Sequence, residues 1–122
     1  MKQEEILEYN KRCAEFLGWK YENTIWLKPH SKEINTWVVA SYSKKFINFA
    51  YDWNWIMEVL NKISSLDFGW KVTSKYVNIY SHSGDPRGEF DCKFEMNCPQ
   101  DVIIDTVKTI NQFLIWYNEQ RT

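Results

Sequence analysis

Glycine and proline are scarce in this chain, 4 and 3 of 122 residues, which leaves little material for linkers or low-complexity disorder. The length suits one domain, and we expect residues 1–122 to form it with nearly every residue ordered. Long apolar runs are missing too: the longest stretch, Asp101 to Tyr117, is broken by Asp105, Lys108, Asn111 and Gln112. It falls short of the ~20 mostly apolar residues that cross a bilayer, so no membrane partner is expected. The acidic start, Met1 to Glu8, has no uncharged apolar core of a secretion signal. There is no excess of one charge: 15 basic and 16 acidic side chains give a net charge of −1, without the global positive field of a non-specific nucleic-acid binder. The three cysteines, Cys13, Cys92 and Cys98, are odd in number and lack a framework spacing. That fits free thiols in a reducing compartment, and the cytoplasm is the expected location.

Aromatic residues are abundant, at 17% with 7 each of Trp, Tyr and Phe. A domain this small has a limited interior, so some rings are expected at the surface, where Trp and Tyr serve as interface anchors. Ile6, Tyr9, Cys13, Phe16 and Leu17 recur at helical spacing, and Gly18 follows where a left-handed residue would end the helix. Thr24 to Leu27 and Thr36 to Ala40 read as strands around a turn at Pro29 to Lys32, and Lys45 to Phe49 as a short further strand. Asp52 caps a second helix striped by Trp53, Ile56, Met57, Leu60 and Ile63. The β-rich stretch Trp70 to Tyr80, the turn Ser83 to Gly88 and the alternating strand Phe90 to Met96 make a hairpin. A last helix follows Pro99, with Ile103, Val107, Ile110, Leu114 and Tyr117 on one stripe. The expected class is α+β in the order α-β-β-α-β-β-α, a small antiparallel sheet packed with three helices.

No constellation of reactive groups stands out. His82 lies among Ser81, Ser83 and Asp85, but neighbours in one turn cannot align as nucleophile, base and orienter, and a polar turn accounts for them. His30, the other imidazole, sits in a separate loop. Cys92 and Cys98 lack a zinc spacing, and no GxGxxG or GxxxxGK loop occurs. Glu4, Glu5, Glu8 and Glu15 interleave with Lys2, Lys11 and Arg12 as on a solvated helix face, and Asp101 and Asp105 suit a helix dipole. No catalytic residue, metal or cofactor is assigned, and a non-enzymatic protein is expected. What remains is aromatic and basic. Trp53 and Trp55 cannot both face the core at ~100° per residue, so Trp55 is either a loop contact or a binding anchor. Lys44, Lys45, Lys71, Lys75, Arg87 and Lys93 come from strands and turns, with Trp70 and Tyr76 among them. They are either scattered solubilising charge or one face that meets RNA backbone or an acidic protein groove.

Three segments carry a family resemblance: Cys13 to Lys20, Asp52 to Val59, and Phe113 to Asn118. Through them most of the chain resembles small bacteriophage and prophage proteins related to the phage ABA-sandwich domain. The resemblance implies helices packed about a small antiparallel sheet and transfers no catalytic role. The polar side of Phe90 to Met96 departs from a sheet covered on both faces and suits an edge strand. The chain also looks similar to phage-encoded CRISPR inhibitors. That likeness implies a stoichiometric inhibitor of a type VI-B RNA-guided, RNA-cleaving effector, whose partner is the host effector protein or its guide-RNA complex. A phage RNA-binding module is the alternative.

Overall fold

A computed structural model describes residues 2–22, 25–28, 40–43, 47–73, 75–82, 89–95 and 102–120. The elements run α1 (Gln3–Phe16), β1 (Lys20–Glu22), β2 (Ile25–Lys28), β3 (Ala40–Ser43), α2 (Trp53–Ser65), β4 (Phe68–Val72), β5 (Tyr76–Ser81), β6 (Asp91–Glu95) and α3 (Val102–Gln120). This is the expected α+β class with three helices and antiparallel strands. The strands form two three-stranded meanders, β1-β2-β3 and β4-β5-β6. The order α-β-β-α-β-β-α is thus corrected to three strands in each half: the first gains Lys20–Glu22, and the second divides where one β-rich stretch is expected. Lys20–Glu22 carries no apolar run, and Trp70 to Tyr80 divides at a tight turn into two paired strands.

That turn is built by Thr73. Its Oγ1 accepts from the Lys75 and Tyr76 amides at 3.1 and 3.0 Å, while the Thr73 amide donates to the Tyr76 carbonyl at 2.9 Å. A hydroxyl that takes amides two and three residues ahead reverses the chain without glycine.

The helices form as their stripes require. In α1, Ile6, Tyr9, Cys13 and Phe16 are buried together with Asn10 and Ala14, and Gly18 at φ +83° ends the helix as expected. Asp52 caps α2 by accepting from the Asn54 amide at 2.8 Å, and Ile56, Val59, Leu60 and Ile63 are buried below it. In α3 the buried face is Thr106, Val107, Thr109, Ile110, Phe113 and Leu114. Both threonines donate their hydroxyls to carbonyls four residues back, Val102 and Asp105, so neither leaves an unsatisfied polar group in the core.

One hydrophobic cluster joins these elements. Phe113 is its aromatic hub, with the rings of Phe16, Phe68, Phe90, Trp116 and Tyr117 centred 4.9–6.1 Å away. Helix α3 rests on β5 and β6, and α2 rests on β4.

The expected strand over Lys45 to Phe49 is corrected in its described part. Ile47 and Asn48 are irregular and Phe49 is in a turn. The reason is a competing set of hydrogen bonds from α1. The buried Asn10 amide donates to the Ile47 carbonyl at 3.3 Å and its oxygen accepts from the Phe49 amide at 3.0 Å. Tyr9 adds its hydroxyl to the Phe49 carbonyl at 3.0 Å. Backbone groups that a strand partner would take are satisfied by two side chains instead. Lys45 and Phe46, like Thr24, Thr36 to Val39, Pro29 to Lys32, Pro99 and the Ser83 to Gly88 turn, lie outside the described residues.

Candidate functional site

Strand alternation gives sheet β4-β5-β6 two unlike faces. Paired residues share a face, so the register Trp70↔Ile79↔Cys92 and Val72↔Val77↔Phe94 defines the inner one, turned to α2 and α3. The other face carries the rows Lys71↔Asn78↔Lys93 and Gly69↔Tyr80↔Asp91, with Tyr76 at the end of β5. Lys71, Asp91 and Lys93 are exposed, and Tyr76, Asn78 and Tyr80 are half-buried. Strand β6 is an edge strand, as its polar side suggests. The helices contact this sheet through inner-face residues such as Phe68 and Trp70, so the described helices cover one face only.

The outer face is internally braced. Asn78, in the middle of the central strand, donates its side-chain amide to Asp91 Oδ1 at 2.8 Å and to the Cys92 carbonyl at 2.9 Å. Lys93 places its ammonium 4.4 Å from the centre of the Tyr76 ring, within cation–π range. Gly69 has no Cβ, and the Tyr80 ring occupies the space that one would fill. That ring therefore lies against the sheet backbone with its other side outward. His82 stands edge-on to Tyr80, the rings 6.1 Å apart at 85°. Tyr80, His82, Lys71, Asn78, Glu89 and Asp91 line an open hollow of about 540 Å³. At its base, Ser81 and Phe90 lock β5 to the chain entering β6: the Ser81 amide donates to the Phe90 carbonyl at 2.8 Å, and the Phe90 amide to Ser81 Oγ at 2.8 Å.

A second hollow of about 310 Å³ lies between α1 and the first sheet, with Leu7, Tyr21 and Trp26 in its walls. Its charged lining, Glu8, Lys11 and Glu15, is the solvated side of α1 rather than a converged set. The outer sheet face, which gathers charge, amide and aromatic groups from three strands, is the better candidate for function.

The residues singled out in the sequence separate clearly. Lys71 and Lys93 come together, flanking Asn78, while Lys75 is exposed at the β4–β5 turn, outside that row. Trp70 does not join them. It is on the inner face, packed against the core, with its indole N–H donated to Ser64 Oγ of α2 at 2.8 Å. Trp55 is also elsewhere, half-buried against the loop residue Phe49 at 5.0 Å and against Trp19 at 5.8 Å. Lys44, Lys45 and Arg87 lie outside the described residues. Asn78, Tyr80 and Asp91 complete the face without standing out among the basic and aromatic candidates. Their signal was the alternation Tyr76-Val77-Asn78-Ile79-Tyr80, apolar on one side and polar-aromatic on the other.

Neither thiol among the described residues contributes to this face, and Cys98 lies outside them. Cys13 is fully buried in α1, where burial pushes its pKa far up. Burial, with a smaller push from the Asp91 carboxylate, raises Cys92 as well. Among the described residues, no group of three His, Cys, Asp or Glu side chains is arranged to hold a metal ion, and no helix is long and apolar enough to cross a membrane. The chain matches no family model, no curated protein and no solved structure.

Proposed function

We propose that this protein is a non-catalytic, phage-encoded inhibitor. It acts in the cytoplasm of the host bacterium by docking on a type VI-B RNA-guided, RNA-cleaving effector, or on its guide-RNA channel, and blocking productive assembly. The observation that carries a contact function is the outer face of sheet β4-β5-β6, where Lys71 and Lys93 share one surface with Tyr76 and Tyr80. A face with cations and aromatic rings suits a ribonucleoprotein partner, whose surfaces combine phosphate and protein. The partner itself is suggested by the likeness of the chain to phage-encoded CRISPR inhibitors.

The test is reconstitution. Purified protein is mixed with effector, guide RNA and target, and the protein-to-effector ratio at which target cleavage stops is measured together with co-elution of the two. Inhibition that saturates at a fixed, small ratio supports the proposal; no co-elution and undiminished cleavage at excess protein would remove it. A second reading, an RNA-binding module without inhibitory role, is favoured by the same row of Lys71, Asn78 and Lys93 beside an outward tyrosine ring. It predicts that the protein shifts RNA by itself, with steep salt dependence, and leaves the effector active.

A further inference from the structure

We infer that the outer face of sheet β4-β5-β6 binds single-stranded RNA directly, with one unpaired base stacked on Tyr80 and the neighbouring phosphates held by Lys71 and Lys93. The inference rests on the reading of this face as the contact surface and specifies what the surface touches.

Three features of the hollow over Tyr80 carry it. The first is the platform. Because residue 69 lacks a Cβ, the Tyr80 ring is seated against the backbone, and its outward side is a flat π-surface supported from beneath. A nucleobase stacks on such a surface whatever its sequence, and His82, edge-on at 85°, closes one side of the hollow.

The second feature is the pair of cations beside the hollow. Lys71 and Lys93 flank Asn78 at the middle of the face, and Lys75 lies at the turn beyond. With strands about 4.8 Å apart, the two flanking lysines leave the sheet about 10 Å from each other, a spacing that long flexible side chains easily adjust to successive phosphates. Glu89 and Asp91 join Lys71 around the Tyr80 hollow, one ladder row from Lys93. A nucleotide can span these two rows, with its phosphate toward the lysines and a base edge bearing N–H donors toward the carboxylates.

The third feature is that Asp91 is tethered next to the platform. The Asn78 amide donates to Asp91 Oδ1 at 2.8 Å, which tethers the carboxylate beside Tyr80 and leaves its second oxygen as an acceptor for a stacked base. Carboxylates read exocyclic amines, so adenine, cytosine or guanine fits this wall better than uracil, which has no amine. Paired RNA buries its base edges and cannot offer a base to Tyr80, so the site discriminates single strands from duplex. An acidic peptide would meet the same lysines but also Glu89 and Asp91, and it has no base to stack.

The experiment is fluorescence anisotropy with short labelled RNAs: a mixed single strand, its duplex and oligo-U. The full-length wild-type chain is compared with Tyr80→Ala, the double variant Lys71→Glu/Lys93→Glu, and Lys108→Glu on α3 as a control. Circular dichroism and thermal melting establish that each variant is folded. The mixed single strand is expected to bind with an affinity that falls steeply with salt, and more tightly than duplex or oligo-U. Tyr80→Ala is expected to weaken it about ten-fold and the charge reversal by more, with Lys108→Glu unchanged. Absence of binding at low salt, or a folded Tyr80→Ala that binds like wild type, overturns the inference. The same variants are also assayed on effector cleavage. If charge reversal abolishes inhibition although wild type binds no free RNA, the inference falls and docking of this face on effector protein stands. RNA binding without any inhibition leaves the inference standing and removes the proposed function.

Discussion

Gly69 and Tyr80 face each other across the β4–β5 ladder, and the tyrosine ring fills the place where a side chain on residue 69 would stand. The conflict is with the outer ring atoms and hydroxyl of Tyr80, the far end of a movable side chain. Gly69→Ala is therefore expected to leave the fold intact, with stability changed by less than about 1 kcal/mol, because the lost ring seating is offset by better strand propensity. The ring itself must swing off the sheet. Near-UV circular dichroism, or the chemical shifts of Tyr80 and His82, should change while the melting temperature hardly moves, and RNA or effector binding should weaken.

Asn10 is the buried clamp between α1 and the segment that follows the first sheet. Replacing it with Ala leaves the Ile47 carbonyl and the Phe49 amide without the partners they have at 3.3 and 3.0 Å. The expected loss is about 2–3 kcal/mol, read from the midpoint of denaturant unfolding at unchanged slope. Tyr9→Phe removes one further bond, to the Phe49 carbonyl, and should cost about 1 kcal/mol. Because both side chains hold the same turn, the double variant should deviate from the sum of the two.

Those same residues mark where sequence reading stops. The three helices were legible because each repeats buried side chains at helical spacing, and Gly18 and Asp52 sit at their ends as the chemistry of caps requires. Lys45 to Phe49 has the composition of a strand, and nothing in it reveals that Asn10, some forty residues earlier, supplies its hydrogen bonds. Trp70 resembled a surface anchor because its partner, the Ser64 hydroxyl, is on another element. The lysines of the sheet were legible as a group, since Lys71 and Lys93 fall on the polar phase of alternating strands. Their union with Tyr80 and Asn78 depended on register, which pairs Lys71 with Asn78 and Asn78 with Lys93.

Burial of Cys13 gives a prediction about alkali. Burial raises the pKa of its thiol above the ordinary 9.0, and burial raises that of the adjoining Tyr9 hydroxyl above 10.0. Both groups hold their protons more tightly in the folded chain than in the unfolded one. These two groups therefore leave stability flat through neutral pH and lower it as pH rises past 9.0, where the unfolded thiol ionises first. Denaturant midpoints measured across that range should fall, and Cys13→Ala should remove part of the fall. Under native conditions near neutral pH, alkylation followed by mass spectrometry should find Cys92 labelled well before Cys13, which is fully buried.

The central claim is that the protein works through the contact surface of sheet β4-β5-β6. Its most direct test is a titration of effector cleavage by wild type and by a folded Lys71→Glu/Lys93→Glu variant. The account predicts that wild type stops cleavage at a fixed stoichiometric ratio and that the variant needs at least about ten-fold more protein, since two favourable charges become repulsive. Equal inhibition by the two proteins would contradict it.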